Sequence, residues 1–325
     1  MRLRSKQKLG AHRTLIINSR LHDKDGPKDA NDALLQGKDL QQVIRECTEA
    51  VSDRNLLLLG DLKDKVLHRI VNQNQIMGIP STCFQFYNKM VKGLRKGEFT
   101  LVTGASGSGK TTFLSQLSID FVQQGIPTLW GSFEIKNEIL AHTMLNQYSM
   151  ERFTPSRGEL ALKYLEEFEQ MPLHFMNFYG STSMEEMFET LEYAVYAHDI
   201  SLICIDNMQF MLSDQADGYR KFDLQDKVTS MLRRLATELD VHVCLVVHPK
   251  KVDDDTQLSA GSIFGSAKIS QEADNVMILQ KSAEVPNYRI LQLVKNRFDG
   301  EVGQAGLGFN KDTKRYLELT KIERD

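Results

Sequence analysis

From about residue 97 the chain alternates two hydrophobic rhythms. Short apolar runs stand at 99–103, 127–133, 173–178, 201–205, 241–247 and 275–280. Between them, 110–124, 136–149, 183–198 and 221–239 carry apolar residues at helical 3.6-residue spacing. Runs that are apolar throughout suit strands buried on both faces, and strand–helix alternation predicts an α/β domain with a mainly parallel sheet. Residues 288–319 read as short strands and turns that close antiparallel. Within them LVKNRFDGEVG reads as a hairpin tip, with Gly300 at the turn. Lys295 and Arg297, two apart on a strand, share one face.

The N-terminal part is patterned differently. Residues 1–40 read as a strand (14–18), a polar loop (HDKDGPKDAND) and a short helix through Ala33, Leu34 and Leu35. That is too little to bury a core of its own, so it reads as the end of a larger domain. Residues 41–75 are polar with helical apolar spacing, including Val43, Ile44, Cys47, Leu62, Val66 and Ile70. They predict a linker of one or two helices, suited to docking on a neighbouring subunit or to ordinary packing. Residues 76–325 form the main domain.

Composition narrows the class. The chain has 325 residues, 41% hydrophobic and 26% charged, with a net charge of −3. These values are ordinary for a globular protein and exclude a uniformly basic nucleic-acid-binding surface. Cys47, Cys83, Cys204 and Cys244 show no metal spacing; Cys204 and Cys244 fall inside apolar runs, as small buried residues do. No run approaches the roughly 20 apolar residues of a membrane span. The first 22 residues carry six basic residues and no acid. We read them as the basic lead into a strand rather than a transit peptide.

The strongest chemical signal is GASGSGKT at 104–111, which matches the phosphate-binding loop G-x-x-x-x-G-K-[ST] between a strand and a helix. Gly104, Gly107 and Gly109 let backbone N–H groups turn inward around a phosphate, with Ser108 and Thr112 in the same cradle. Lys110 is expected to reach the β- and γ-phosphates of ATP, and Thr111 to hold Mg²⁺ through its hydroxyl. A second acid is needed on the metal, and Asp206 ends the apolar run LICID at 202–206. Glu134, at the end of WGSFE, would face the same crevice as a general base. His248 ends LVVH at that edge and could bond the γ-phosphate, although a lone His there is more often structural.

Together with GIPSTCFQFYNKMVKGLRKGEFTLVTGASGSGKTT, the runs GSFE, LICIDN, VVHPKK, FGSAKISQEADN and KNRFDGEVG resemble the helicase domain of ring-shaped, RecA-like replicative helicases. The likeness is densest from 76 to 312 and points to the mitochondrial branch related to phage primase–helicases. Residues 1–40 resemble the end of that family's primase-like, Toprim-type domain, so the chain reads as a fragment or short form without primase activity. The resemblance implies a 5′–3′ translocating DNA helicase, hexameric or heptameric, that acts on single-stranded DNA and forked duplex. It also implies a mitochondrial setting and partners such as a polymerase and a single-strand-binding protein. It supports Glu134 as catalytic base and His248 as γ-phosphate sensor. Arg297 matches an arginine finger that enters the neighbouring subunit's site, with Lys295 as its companion. Phe298 and Phe309 match aromatics that stack on the base.

Two loops match the family's DNA-binding regions. One is PKKVDDDTQLSAG, with Lys250 and Lys251; the other is GSAKIS, with Gly265, Ser266 and Lys268. Small residues and lysines suit sequence-independent backbone contacts, repeated around a ring. Asp253, Asp254 and Asp255 weaken the first loop's case. Two alternatives share much of this motif set: a RecA-type recombinase or strand-annealing filament, and an assembly-impaired form that binds nucleotide or subunits without unwinding.

Overall fold

The structure, a computed structural model, describes residues 15–17, 27, 29–46, 48–50, 57–72, 77–178, 183–211, 220–249, 258, 267–282, 285 and 287–319. The chain separates into two compact units, Met1–Gln73 and Asn74–Asp325.

In the first unit, β1 (Leu15–Ile17) pairs antiparallel with β2 (Thr48–Ala50). Between them lie α1 (Ala30–Leu35) and α2 (Leu40–Glu46). Asp29 caps α1 by accepting the Asp32 N–H, which satisfies one of the helix's otherwise unpaired donors. β2 falls inside the stretch read as a linker of one or two helices. Three residues are too few for periodicity to register. Its ladder joins the segments on either side of residue 40. The helix α3 (Leu59–Val71) follows, with no buried residue; Leu59, Val66, Leu67, Ile70 and Val71 are exposed.

The second unit runs α4 (Gln85–Val91), β3 (Phe99–Thr103), α5 (Lys110–Gln123), β4 (Thr128–Ser132), α6 (Asn137–Ser149), α7 (Gly158–Phe168), β5 (Leu173–Phe175) and α8 (Met184–His198). It continues with β6 (Leu202–Asp206), α9 (Met208–Met211), α10 (Arg220–Glu238), β7 (His242–Val247), α11 (Ala267–Glu272) and β8 (Asn275–Lys281). β9 (Tyr288–Asn296), β10 (Gly303–Asn310) and β11 (Arg315–Leu319) complete it. Among the described residues nine strands form one sheet, ordered β11-β10-β9-β8-β3-β7-β6-β4-β5. Strands β3 to β8 are parallel, and β9 to β11 extend the sheet antiparallel.

Successive residues of the central strands serve opposite faces, as the two-residue strand period requires. Leu101, Ile203, Ile205, Val243 and Leu245 pack under α8 and α10 with Met187, Leu191, Val228 and Leu232. Val102, Cys204, Cys244 and Val246 pack under α5 and α6 with Phe113, Leu117, Leu140 and Met144. Cys204 and Cys244 are buried neighbours across the β6–β7 ladder, in keeping with their reading as core residues. This two-sided core fixes the strand ends, so residues just past β3, β4, β6 and β7 meet along one edge of the sheet.

Candidate nucleotide-binding site

The loop between β3 and α5 depends on glycine at positions where a side chain has no room. Gly104 has φ +156°, and a Cβ there would run into the Leu279 carbonyl. Gly109 has φ +97°, and a Cβ there would strike the Tyr316 hydroxyl. Lys110 opens α5 with its ammonium folded onto the loop, donating to the carbonyls of Gly104 (2.8 Å) and Ala105 (3.1 Å). Burial lowers its pKa, with Asp206 and Glu134 opposing. A phosphate would offer this ammonium stronger, charged acceptors in place of those two carbonyls.

Asp206 closes β6 almost fully buried, and Thr111 donates to its Oδ2 at 2.5 Å. Its Oδ1 is buried without a hydrogen-bond partner among the described residues, as are Ser108 Oγ and Thr103 Oγ1. Unpaired buried oxygens cost free energy unless a ligand meets them. Burial raises the Asp206 pKa to about 6, with the Glu134 charge adding to the effect and the Thr111 bond opposing it. A hydroxyl and a desolvated carboxylate, both oxygen donors, fit a hard divalent cation such as Mg²⁺.

Glu134 lies two residues past β4. The N–H groups of Phe133 and Glu134 donate to the Asp206 carbonyl at 2.7 and 3.3 Å, which ties the Glu134 backbone to the end of β6. Its carboxylate is 3.8 Å from His248 Nε2. His248 follows β7 directly, and its pKa is lowered by burial and by the Lys110 charge. The structure thus brings together Gly104, Gly107, Ser108, Gly109, Lys110, Thr111, Thr112, Glu134, Asp206 and His248.

Three further residues reach this edge that sequence reasoning missed. Asn207 Nδ2 bonds both Glu134 and His248. Arg289 Nε donates to the Ser108 carbonyl (2.9 Å), and the Tyr316 hydroxyl lies 3.3 Å from the same oxygen. Asn207 had one signal, a polar residue directly after the strand-ending acid. Arg289 and Tyr316 come from strands 181 and 208 residues downstream of Ser108, and only the sheet order brings them back.

The hairpin residues divide between opposite edges. Phe309 packs on Tyr316, ring centres 5.1 Å apart, beside its own phosphate loop. Lys295, Arg297 and Phe298 are not brought to that loop. β9 runs antiparallel to β8, placing Arg289 at the loop edge and Asn296 at the far edge. Its nine residues, at about 3.3 Å each, separate the two ends by about 25 Å. The two aromatics therefore cannot stack on one base from a single copy. At the far edge Lys295 Nζ donates to the carbonyls of Ser270 (2.7 Å) and Gln271 (3.0 Å), at the C-terminal end of α11. Arg297 bonds the Gln271 carbonyl and sits 3.5 Å from Asp274. The Arg95 guanidinium lies 4.0 Å over the Phe298 ring. Lys268 is exposed on α11; Lys250, Lys251, Gly265 and Ser266 lie outside the described residues.

A phosphate loop after β3, an acid at the end of β6 and this strand order define a P-loop NTPase of RecA-like fold. The family described as AAA domain matches residues 84–254, more than half of the sequence, and the chain belongs to it. Among curated relatives, a DNA helicase/primase of Enterobacteria phage T3 is 22% identical over 310 residues, covering 88% of this chain and 54% of the relative. The replicative DNA helicase DnaB of Treponema pallidum (strain Nichols) is 22% identical over 273 residues, 80% of this chain and 60% of the relative. The chain thus spans a little over half the length of these relatives. Among solved structures, a DnaB-like replicative helicase superposes with a TM-score of 0.68 at 16% identity, over 89% of this chain and 72% of that one.

Proposed function

We propose that this chain is the ATPase motor of a replicative DNA helicase that works as a ring of identical copies. The observation that carries this reading is the division of the catalytic set between two sheet edges. Lys110, Thr111, Asp206, Glu134 and His248 share one edge, while Arg297 stands about 25 Å away. An arginine so placed reaches a phosphate loop only on another copy. Head-to-tail contact between copies closes into a ring or runs on as a filament. The sequence resemblance to ring-shaped replicative helicases favours the ring.

ATP would sit on the glycine-rich loop with its terminal phosphates on Lys110. A magnesium ion held by Thr111 and Asp206 would neutralise charge on the phosphate oxygens. Glu134 would orient and deprotonate the attacking water, and His248 would contact the γ-phosphate. The neighbour's Arg297 would stabilise charge on the transferring group, with Lys295 beside it; such a finger contributes about 10³ to 10⁵ in rate.

The sequence resemblance to Twinkle-type mitochondrial helicases is the basis for the finer proposals. These are a hexameric or heptameric ring, 5′–3′ movement on single-stranded DNA, a place in the mitochondrial nucleoid, and work alongside a polymerase and a single-strand-binding protein. Lys268 and the loops holding Lys250, Lys251, Gly265 and Ser266 would line the DNA channel. The exposed apolar stripe of α3 would dock on a neighbouring copy. Strand displacement on a forked duplex with a 5′ tail, with ATP and Mg²⁺, tests the reading. Unwinding that disappears in Lys110→Ala is expected. Hydrolysis without unwinding, on open filaments in electron micrographs, would contradict it and favour a recombinase.

A further inference from the structure

Asn207 stands between Glu134 and His248 and belongs to neither the phosphate-loop motif nor the metal pair. It is fully buried, the first residue after β6. Its Nδ2 donates to Glu134 Oε2 and lies 2.9 Å from His248 Nε2. The opposite amide orientation would set a carbonyl oxygen against the Glu134 carboxylate, which is repulsive, so the nitrogen faces both partners. An amide NH₂ carries two hydrogens and accepts nothing. His248 Nε2 is therefore the acceptor, and the ring is neutral with its proton on Nδ1. The backbone N–H of His248 donates to Gln209 Oε1 at 3.2 Å, so the sensor hangs from the same turn after β6 at two points.

This geometry carries a constraint. Imidazole Nε2 has one in-plane position for a hydrogen-bond partner. To donate to a phosphate oxygen through Nε2, His248 must give up the bond from Asn207. We infer that Asn207 is a positioning residue that couples the sensor to the base: it holds Glu134 and His248 together when no phosphate engages the ring, and frees its second hydrogen when one does. The inference rests on the hydrolytic reading of Glu134 above and adds the residue that links it to His248.

The test uses the full chain, with steady-state ATP hydrolysis, with and without single-stranded DNA, and nucleotide affinity from equilibrium binding. Asn207→Asp keeps the shape but replaces the donors with acceptors facing Glu134; Asn207→Ala removes the bridge. Both are expected to lower kcat by about 10²-fold, the scale of a misplaced catalytic group, with nucleotide affinity unchanged. Asn207→Ala combined with His248→Ala is expected to be no worse than the poorer single variant, because both break one link. Full kcat in Asn207→Asp, equal losses in kcat and affinity, or additive effects in the double variant would each overturn the inference. Glu134→Gln separates the two levels. If it is inactive while Asn207→Asp is fully active, only the bridge fails. If Glu134→Gln hydrolyses ATP at the parent rate, the reading of Glu134 as base fails, and the bridge with it.

Discussion

Asp206 is almost fully buried, yet it would have to be ionised to hold the proposed cation, and the two conditions conflict. Its pKa is raised from 3.8 to about 6, chiefly by burial. The folded protein therefore takes up this proton at higher pH than the unfolded chain does. This group favours folding as pH falls through 6, and its charge opposes folding at neutral pH by about 3 kcal/mol at most. Asp206→Asn, uncharged throughout, is expected to melt above the parent well above pH 6 in the absence of nucleotide and Mg²⁺. The difference should vanish below pH 3.8, the ordinary aspartate value. Hydrolysis should be lost at every pH. Melting curves across that range check both parts, and a variant that melts lower at neutral pH would contradict them. At this scale the sequence was readable where chemistry imposes a spacing or a strand end: Lys110, Thr111, Asp206, Glu134 and His248 meet as expected. Asn207 was not readable, because an amide acquires a role only from the two groups it happens to touch.

At the scale of elements, the hairpin is held to the sheet through Asp274. That carboxylate accepts the Phe99 N–H at 2.9 Å, where β3 begins, and Arg233 of α10 at 2.5 Å; Arg297 lies 3.5 Å away. One buried acid thus fixes a central strand, a covering helix and Arg297. Removing it leaves two guanidinium groups and a backbone donor short of an acceptor. Asp274→Ala is expected to cost about 3 kcal/mol in urea unfolding, as for a broken buried pair. Asp274→Asn, which keeps an acceptor oxygen, should lose less; equal losses would contradict this role. The strands of the core were legible because burial on both faces makes them apolar throughout. β2 was not, being three residues in a polar stretch. The KNRFDG turn was legible as a hairpin, but its edge of the sheet was not. That edge depends on β9 taking its place beside β8 in the sheet order, which no local pattern encodes.

For the whole molecule, the central question is what completes the nucleotide site. A copy alone has the phosphate loop at one edge and Arg297 at the other, so on the proposed reading activity should require assembly. The open face of α3 offers a handle on that step. Val66→Asp and Ile70→Asp replace exposed apolar side chains, so each should shift stability by no more than about 0.5 kcal/mol. Assembly with nucleotide, read by size-exclusion chromatography, should nevertheless weaken; unchanged assembly would separate α3 from the subunit contact. The most direct measurement is complementation between Lys110→Ala and Arg297→Ala. Each variant alone should be deficient in hydrolysis, with Arg297→Ala still binding nucleotide. Mixed and allowed to co-assemble, they form some interfaces in which the intact Lys110 of one copy meets the intact Arg297 of the other. A site shared between copies predicts that hydrolysis returns in the mixture. Co-assembled mixtures no more active than the separate variants would contradict a finger acting from a neighbouring copy.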